Sequence, residues 1–358
     1  MKNIIRKSLD SFLNLINKNK FVGLFRPVYN ATDEFFFGTD KATSLPHIVD
    51  YLDVKRFMTM VVVALMPAAL ASIYFWGWRS AVIILFSYTF GGLVEVAFAV
   101  IRKKEIHEGF LVTGLIFPLI LPPTVPLWVV AIGIIFGVFF GKEVFGGTAR
   151  NIFNPAIVGR IFLTIAFPKI MTTNWVTPFT SGLGGFLAFQ RAGVDAITSA
   201  TPLTLFKNQA IIESSKALLF GQSAGCIGET FRIGLIAGGL FLIIIKIVDW
   251  RIPLAYLGTV AVFPLLLNHL FHLNLAPALF QLLSGGLLLG AFFMATDPVT
   301  SPFTKPGRWI AGILLGILTV LIRGLSGYVE GVMFSLLLVN ALTPLIDTAV
   351  LNVRYRKK

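Results

Sequence analysis

Three carboxylates stand in stretches that are otherwise apolar. Glu95 lies in GGLVEVAFAV, Asp297 lies in MATDPVT, and Asp347 lies near the end of the last apolar segment. Ionisable side chains deep in a membrane span are costly and are usually functional. Carboxylate oxygens suit a hard cation such as Na⁺, so these residues are candidates for a cation path. Alternatively, each acid pairs with a basic group such as Lys142 or Arg160, or caps a helix at the interface.

A second stretch with chemical potential is DAITSATPL, which begins at Asp195 in the longest polar gap of the chain. It offers hydroxyl groups on Thr198, Ser199 and Thr201. A threonine hydroxyl becomes a nucleophile only with a base or a metal beside it, and no histidine or metal-ligand cluster flanks this one in the sequence. From the residues alone, Thr201 followed by Pro202 is typical of a helix N-cap.

The composition shows what must position these residues. The chain has 358 residues, of which 56% are hydrophobic and 13% are charged, whereas soluble domains carry about 25% charged residues. Apolar runs of about 18 residues or more recur, which is the length of a membrane-spanning helix. The net charge of +13 is clustered in particular loops and at the two ends, as in membrane topology. We therefore predict an all-α polytopic membrane protein with no nucleic-acid partner.

Ten apolar segments predict about ten transmembrane helices. Their approximate ranges are 57–77, 80–101, 109–121, 126–145, 152–168, 231–248, 252–272, 276–296, 308–325 and 328–350. They form two sets of five, which would be inverted relative to each other because each set has an odd number of spans. The third segment of each set is broken, at Pro118 and Pro122 in the first set and at Asp297–Pro298 in the second. Paired breaks favour an inverted repeat; two unrelated kinks are the alternative.

The basic residues predict the orientation. With a cytoplasmic N-terminus, most of the 30 lysines and arginines fall on the cytoplasmic side, as the positive-inside rule requires. The predicted divisions are a cytoplasmic segment 1–56, a first repeat 57–168, an extracytoplasmic loop 169–230, a second repeat 231–350 and a basic cytoplasmic tail 351–358. The first segment contains apolar residues on one helical face, which predicts an amphipathic helix on the membrane surface or one that docks on a partner protein.

A family resemblance rests on five stretches that occur in this order: IRKKEIHEGFLVTGLIFPLILPPTVPLW, GKEVFGGTARNIFNPAIVGR, DAITSATPL, GAFFMATDPVT and NALTPLID. Together they resemble the family shared by the NqrB subunit of the Na⁺-translocating NADH:quinone oxidoreductase and the RnfD subunit of the Rnf complex. The likeness runs from about Leu45 to Asp347. SLPHIVDYLDVKRFM, the polar N-terminal extension and HEGFLVTGLIF are more like NqrB, whereas GWR, ATPLTLFK and LLSGGLLLGAFF are more like RnfD. The balance favours NqrB.

The resemblance implies that FMN is joined through its phosphate to a threonine hydroxyl on the outer side of the membrane. The family motif D-x-x-[ST]-[GS]-A-T falls on Asp195, Thr198, Ser199, Ala200 and Thr201, with Thr201 as the acceptor. The residue after Asp195 is Ala where Gly is commoner, and Ser199 stands where the NqrB form usually has Gly. Neither change removes the acceptor hydroxyl. The resemblance also implies a flavin transferase that uses FAD, in agreement with the lack of a base beside the threonine.

The same resemblance implies a non-covalent riboflavin, a quinone and coupled Na⁺ movement. Asn151 and Asn154, in the irregular stretch GGTARNIFNPAIVGR, are candidates for riboflavin contacts. Gly91 and Gly92 lie in a region that the NqrB branch associates with quinone, although glycine pairs also serve close helix packing. The three carboxylates described above correspond to acids that the family associates with cation uptake.

We therefore expect a membrane subunit of a redox-driven Na⁺ pump, an NADH:quinone oxidoreductase of the bacterial cytoplasmic (inner) membrane, whose NADH is oxidised on another subunit. One alternative is the RnfD role, with ferredoxin and NAD⁺ at the ends of the electron path. Another is a channel or secondary transporter without flavin, in which TSATP is only a helix cap. Covalent flavin would exclude the channel or transporter without flavin. Quinone reduction would separate the NADH:quinone oxidoreductase subunit from the RnfD role.

Overall fold

The computed structural model describes residues 54–103, 109–173, 175–180, 182, 184–187 and 200–356, together with a few residues between 9 and 33. The elements of this described part are helices, which confirms the predicted all-α class. In chain order they are α1 (Val54–Trp76), α2 (Trp78–Arg102), α3 (Gly109–Leu119), α4 (Leu127–Val138), α5 (Pro155–Ala166), α6 (Pro168–Thr172), α7 (Pro202–Gln209), α8 (Ser215–Leu219), α9 (Arg232–Ile244), α10 (Arg251–Phe271), α11 (Ala278–Leu283), α12 (Leu287–Leu289), α13 (Lys305–Leu325) and α14 (Val332–Tyr355). Two π-helical turns, Phe139–Glu143 and Gly290–Met294, and a 3₁₀ turn, Gly184–Leu187, complete the set.

Five of these helices, α1, α2, α10, α13 and α14, are long and apolar enough to cross a membrane. This confirms a polytopic membrane protein. The helices α3, α5 and α9 are apolar but shorter. The 12 residues of α5 rise about 18 Å, which is less than the roughly 30 Å of a bilayer core. The count of ten full spans therefore stays a prediction, because several of the predicted segments contain short helices flanked by turns.

Helix contacts follow the same pattern in both halves of the chain. In each half the second span packs on the fourth, α2 on α4 in the first half and α10 on α13 in the second. The fourth span packs on the fifth, α4 on α5 and α13 on α14. The first helices of the two halves, α1 and α9, pack on each other, as do α5 and α14. Matching contacts of this kind are expected of a structural repeat, and they support the repeat that the sequence predicts.

The broken segment of the first half ends α3 at Leu119, close to the predicted proline break. Its freed carbonyls are paired by other parts of the chain. The backbone N–H groups of Gly228 and Ile227 donate to the carbonyl oxygens of Leu119 and Leu121 at 2.7 and 3.0 Å. The guanidinium of Arg79, in α2, donates to the carbonyl oxygens of Pro123, Thr124 and Val125 at 3.1, 3.3 and 2.9 Å. Irregular backbone at membrane depth requires internal partners of this kind.

The broken segment of the second half ends at Met294, close to the predicted break at Asp297–Pro298. A second break, which the sequence analysis did not predict, lies at Ser284–Gly286, between α11 and α12, where Gly285 has a φ of 66°. A positive φ favours glycine, so this residue allows the turn. Arg323, in α13, donates to the carbonyl oxygens of Gln281 and Ser284 at 2.8 and 2.9 Å. In each half, an arginine from a neighbouring span thus donates hydrogen bonds to the carbonyl oxygens that the break leaves without a helical partner.

The predicted N-terminal amphipathic helix lies mostly outside the described residues. Leu9, Leu13 and Ile16 are helical. Leu9 and Ile16 are buried in one small cluster with Tyr29, and Leu13 packs against it. These described residues belong to the predicted apolar face, and they pack against another part of the same segment.

Candidate functional site

Thr201 begins helix α7 and caps it. Its backbone is extended, with φ −67° and ψ 155°, and Pro202 occupies the first helical position. The Thr201 side-chain oxygen accepts a hydrogen bond from the backbone N–H of Thr204 at 3.3 Å and lies 2.8 Å from the Thr204 hydroxyl. The N-cap expected from the residues alone is therefore confirmed. The cap is compatible with a phosphoester, because an esterified oxygen retains acceptor capacity.

The rest of the hydroxyl-rich motif is mostly outside the described residues. Asp195, Thr198 and Ser199 belong to that part of the chain, and Ala200 is the first described residue before the helix. The described hydrogen bonds of Thr201 are accordingly those with the first turn of α7. Thr201 is 9% exposed, and Leu203 beside it packs into the main hydrophobic core.

A cavity of about 290 Å³ opens beside Thr201, close to the lower limit of the roughly 300–1,000 Å³ found for ligand pockets. Its wall combines aromatic, apolar and charged groups from distant parts of the chain. Arg160 comes from α5, Trp175 from the segment after α6, Glu229 from the segment before α9, and Glu330 from the turn before α14. The cavity therefore brings together one hydroxyl acceptor, aromatic surface and ionisable groups of both signs.

The charges that line the cavity beside Thr201 are unequally paired. Glu330 accepts from Arg323 at 3.1 Å and from the backbone N–H groups of Gly286 and Val332 at 3.0 and 3.2 Å. Arg160 instead donates to the thiol sulfur of Cys226 at 3.2 Å. A thiol is a weak and neutral acceptor, so the two arginines have different electrostatic surroundings.

Glu95 is paired with Lys142. The Lys142 ammonium lies 2.5 and 2.7 Å from the two carboxylate oxygens, and the side chains are only 4% and 7% exposed. Lys142 belongs to the π-helical turn after α4. This pairing is the alternative to a cation at Glu95 that the sequence left open, and the ammonium is the positive charge that the buried carboxylate needs. A role for Glu95 in a cation path stays a prediction.

The two other carboxylates bind backbone N–H groups at turns. Asp297 accepts from the N–H of Val299 and the hydroxyl of Thr300, both at 3.2 Å. Asp347 accepts from the N–H groups of Phe303 and Thr304 at 3.0 and 3.1 Å, and from the Thr304 hydroxyl at 2.5 Å. Asp347 therefore holds the N-terminus of α13 against α14. These are the helix-end contacts that were the alternative to cation binding for both residues.

Asn151 and Asn154 lie beside Asp297 around a second, smaller cavity of about 50 Å³, which Lys142 also lines. Asn154 caps α5 by accepting from the N–H of Ala156 at 3.0 Å, and Asn151 donates to the carbonyl oxygen of Phe153 at 3.0 Å. Both side chains thus make local contacts on the wall of this cavity, and riboflavin contacts at Asn151 and Asn154 stay a prediction.

Gly91 and Gly92 differ in how tightly they are packed. A Cβ on Gly91 would lie 2.7 Å from the ring of Phe110 and 2.8 Å from the side chain of Ile134. A Cβ on Gly92 would lie no closer than 3.5 Å to any neighbour. Gly91 is thus needed for the contact of α2 with α3 and α4, in agreement with the packing alternative. The association of this pair with quinone stays a prediction.

Comparison with known proteins places this architecture in a family. Residues 41–356 match the model of the NQR2, RnfD, RnfE family. The chain belongs to this family. The match covers α1 to α14 and the stretches on which the resemblance was based.

Relatives within the family are similar over almost their whole length. A protein named as the B-type subunit of Na(+)-translocating NADH-quinone reductase from Ectopseudomonas mendocina is 34% identical, over 99% of this chain and 98% of the relative. A protein of the same name from Azotobacter vinelandii is 34% identical over the same shares. The protein of that name from Pseudoalteromonas atlantica is 33% identical, over 92% of this chain and 93% of the relative.

Sequence patterns did not reveal which arginines bind the carbonyl groups at the two breaks, or which residues surround Thr201. Arg79 and Arg323 bind the freed carbonyls of the two breaks, and Arg160, Glu229 and Glu330 line the cavity beside Thr201. A usable signal was present for the first two, because each is a basic residue at the end of an apolar span whose repeat has a broken third segment. The cavity residues lie far apart in the sequence, and no local spacing connects them.

Proposed function

We propose that this chain is the B-type membrane subunit of a redox-driven Na⁺ pump that oxidises NADH and reduces quinone, and that Thr201 carries a covalent FMN. The subunit role is supported by near full-length similarity to proteins that bear this name. It is also supported by the all-helical architecture with five membrane-length helices in the described part. The flavin assignment rests on the site itself.

The observation that carries the flavin assignment is the position of Thr201 on the wall of a ligand-sized cavity. The hydroxyl lies at the N-terminus of α7, where unpaired N–H groups and the helix dipole favour a phosphate. The hydrogen-bonded partner hydroxyl of Thr204 is an additional donor. These groups fit the phosphate of FMN, and the aromatic ring of Trp175 and the guanidinium of Arg160 fit its ring system. A bound flavin would supply the electron-transfer chemistry.

Three functions then fall to the chain itself. Thr201 fixes the cofactor, the surrounding apolar wall excludes water, and the charged residues set the local potential. The transferase that the proposal requires must act on the segment before α7, since no general base contacts Thr201 in the described residues. Riboflavin, the second flavin implied by the resemblance, is proposed to contact Asn151 and Asn154, which line the smaller cavity together with Asp297.

The proposed orientation places both termini in the cytoplasm and Thr201 on the outer side, in the bacterial inner membrane. Two contacts support a common side for the loops concerned. Asp249, before α10, forms ion pairs with Arg251 at 2.7 Å and with Arg308 in α13. At the other side, the Lys207 ammonium of α7 donates to the carbonyl oxygens of Ser326 and Tyr328 at 2.5 and 3.0 Å. These contacts join loops that the predicted topology assigns to the same membrane face.

Asp249 and Lys207 both have a pKa that departs from the ordinary value, for different reasons. Burial opposes ionisation of Asp249, but hydrogen bonds from Arg251 and Arg308 outweigh it and lower the pKa of this carboxyl below its ordinary value. Burial lowers the pKa of the Lys207 ammonium. The partners of the proposed complex are its other subunits, the flavin transferase, quinone and Na⁺.

The test is covalent flavin on the full chain made together with its transferase. We expect flavin fluorescence in the denatured gel band of the wild type, none for Thr201→Ala, and some for Thr201→Ser because a hydroxyl remains. Thr204→Ala is the matched control, since it removes the neighbouring hydroxyl and leaves the acceptor. Persistent fluorescence of Thr201→Ala would move the attachment elsewhere. Lack of fluorescence in the wild type with an active transferase would favour the transporter alternative.

A further inference from the structure

Arg160 differs from Lys142 and Arg323 in what it contacts. Lys142 and Arg323 each have a carboxylate oxygen within ion-pair distance, at 2.5 and 3.1 Å. Among the residues that the structure describes, Arg160 forms no such ion pair, and its only hydrogen-bond partner is the thiol of Cys226 at 3.2 Å. Its side chain is nevertheless part of an apolar span, α5, and lines the cavity beside Thr201.

An arginine at membrane depth is expensive unless a charge or several hydrogen bonds compensate it. Two carboxylates on the same cavity wall, Glu229 and Glu330, attract the guanidinium over a longer distance. Glu330 is already bound by Arg323 and by two backbone N–H groups. Arg160 therefore keeps donor capacity toward the cavity that no other described residue uses.

We propose that Arg160 stabilises the negative charge that a flavin on Thr201 acquires when it is reduced. The inference rests on the proposed attachment of FMN. Reduction of an oxidised isoalloxazine by two electrons, with uptake of one proton, adds one negative charge to the N1 and C2 carbonyl side of the ring. A guanidinium beside that side favours the reduced state, because groups near N1 tune the electronics of a flavin and arginine keeps its charge at any physiological pH.

The experiment is a reductive titration of the flavin on the purified full chain, with dithionite as electron donor and absorption as readout. At one fixed potential, we expect Arg160→Gln to lower the ratio of reduced to oxidised flavin at least tenfold, which for a two-electron couple corresponds to about 30 mV. Arg160→Lys keeps a positive charge and should stay within about threefold of the wild type. Lys216→Gln is the matched control, because it removes one positive charge from an exposed position between α7 and α9 that does not line the cavity.

A second variant tests the same charge without removing the arginine. Cys226→Asp places a carboxylate where the thiol now accepts from Arg160 and should lower the ratio as Arg160→Gln does, while Cys226→Ser should leave it unchanged. The proposal is overturned if both Arg160→Gln and Cys226→Asp match Lys216→Gln, or if Arg160→Lys shifts the ratio as much as Arg160→Gln. Gel fluorescence distinguishes this outcome from failure of the attachment. A fluorescent band whose flavin keeps the ratio of the wild type contradicts the role of Arg160 and leaves the attachment at Thr201 intact.

Discussion

The cavity beside Thr201 and the polar cluster around Glu95 use buried charge in opposite ways. Near Glu95, charges meet at short distance, with Lys142 2.5 Å from Glu95 and Arg102 2.7 Å from Glu143, and the adjoining cavity measures only about 50 Å³. Beside Thr201 the cavity is about 290 Å³, and in the part of the chain that the structure describes Arg160 has a thiol as its one hydrogen-bond partner. The region whose charges pair at short distance thus has the smaller cavity, whereas the region with an incompletely paired charge has the larger one.

The largest effect should come from breaking the ion pair between Glu95 and Lys142. Lys142→Met leaves the Glu95 carboxylate buried without its partner, and the loss of one member of a buried pair costs about 3–5 kcal/mol. We expect a clear fall in the thermal unfolding temperature of the detergent-solubilised protein. The double variant Glu95→Gln with Lys142→Met removes both charges and should recover much of that loss. Equal stability of the single and double variants would mean that the unpaired Glu95 carboxylate is not the cause of the loss.

The packing of the same region gives the next effect. Gly91→Ala places a methyl group 2.7 Å from Phe110, and overpacking of this kind costs about 1–3 kcal/mol. Gly92→Ala is the matched control, because its new methyl group meets ordinary van der Waals distances and alanine favours helix. Thermal unfolding of both variants measures the difference. If the Gly92 variant is the less stable one, the proposed contact between α2 and α3 is wrong.

A functional measurement sharpens the comparison further. If Glu95 belongs to a cation path, Na⁺ must compete with the Lys142 ammonium for the carboxylate. Glu95→Gln would then keep covalent flavin but raise the Na⁺ concentration for half-maximal quinone reduction, by about tenfold if one interaction of roughly 1.4 kcal/mol is lost. Glu95→Asp, measured on the assembled complex in the same way, should lie between. An unchanged Na⁺ curve for Glu95→Gln would make the pair with Lys142 purely structural.

The smallest effect concerns the cap of α7 at Thr201 in the chain without flavin. Thr201→Ala in the flavin-free chain removes the cap of α7 and should cost about 0.5–2 kcal/mol, whereas Thr201→Asn retains a capping side chain and should cost less. Chemical unfolding monitored by the accessibility of Cys226 reports on this part of the chain, since the thiol is buried in the fold. A loss as large as that of Lys142→Met would show that the region of Thr201 depends on its polar contacts as strongly as the region of Glu95.

Local sequence determined the class of the protein and several of its positions. Long apolar runs require membrane helices because unpaired backbone cannot lie in lipid, and a threonine before a proline is a favourable helix start, which the structure has at Thr201. The proline-rich end of α3 was also predictable, because proline lacks the N–H that continues a helix. These features depend on neighbours in the chain, and their physical causes act over a few residues.

Tertiary structure alone decided which charged groups meet. Glu95 and Lys142 are 47 residues apart in the sequence, and no spacing rule connects residues of two helices whose packing is unknown. The break at Ser284–Gly286 was missed because its freed carbonyls are stabilised from α13 by Arg323, a partner about 40 residues away along the chain. Arg160, Cys226 and Thr201 become neighbours of one cavity only when α5, α7 and the segment before α9 pack together. Burial makes each of these contacts energetically important, and burial is a property of the whole fold.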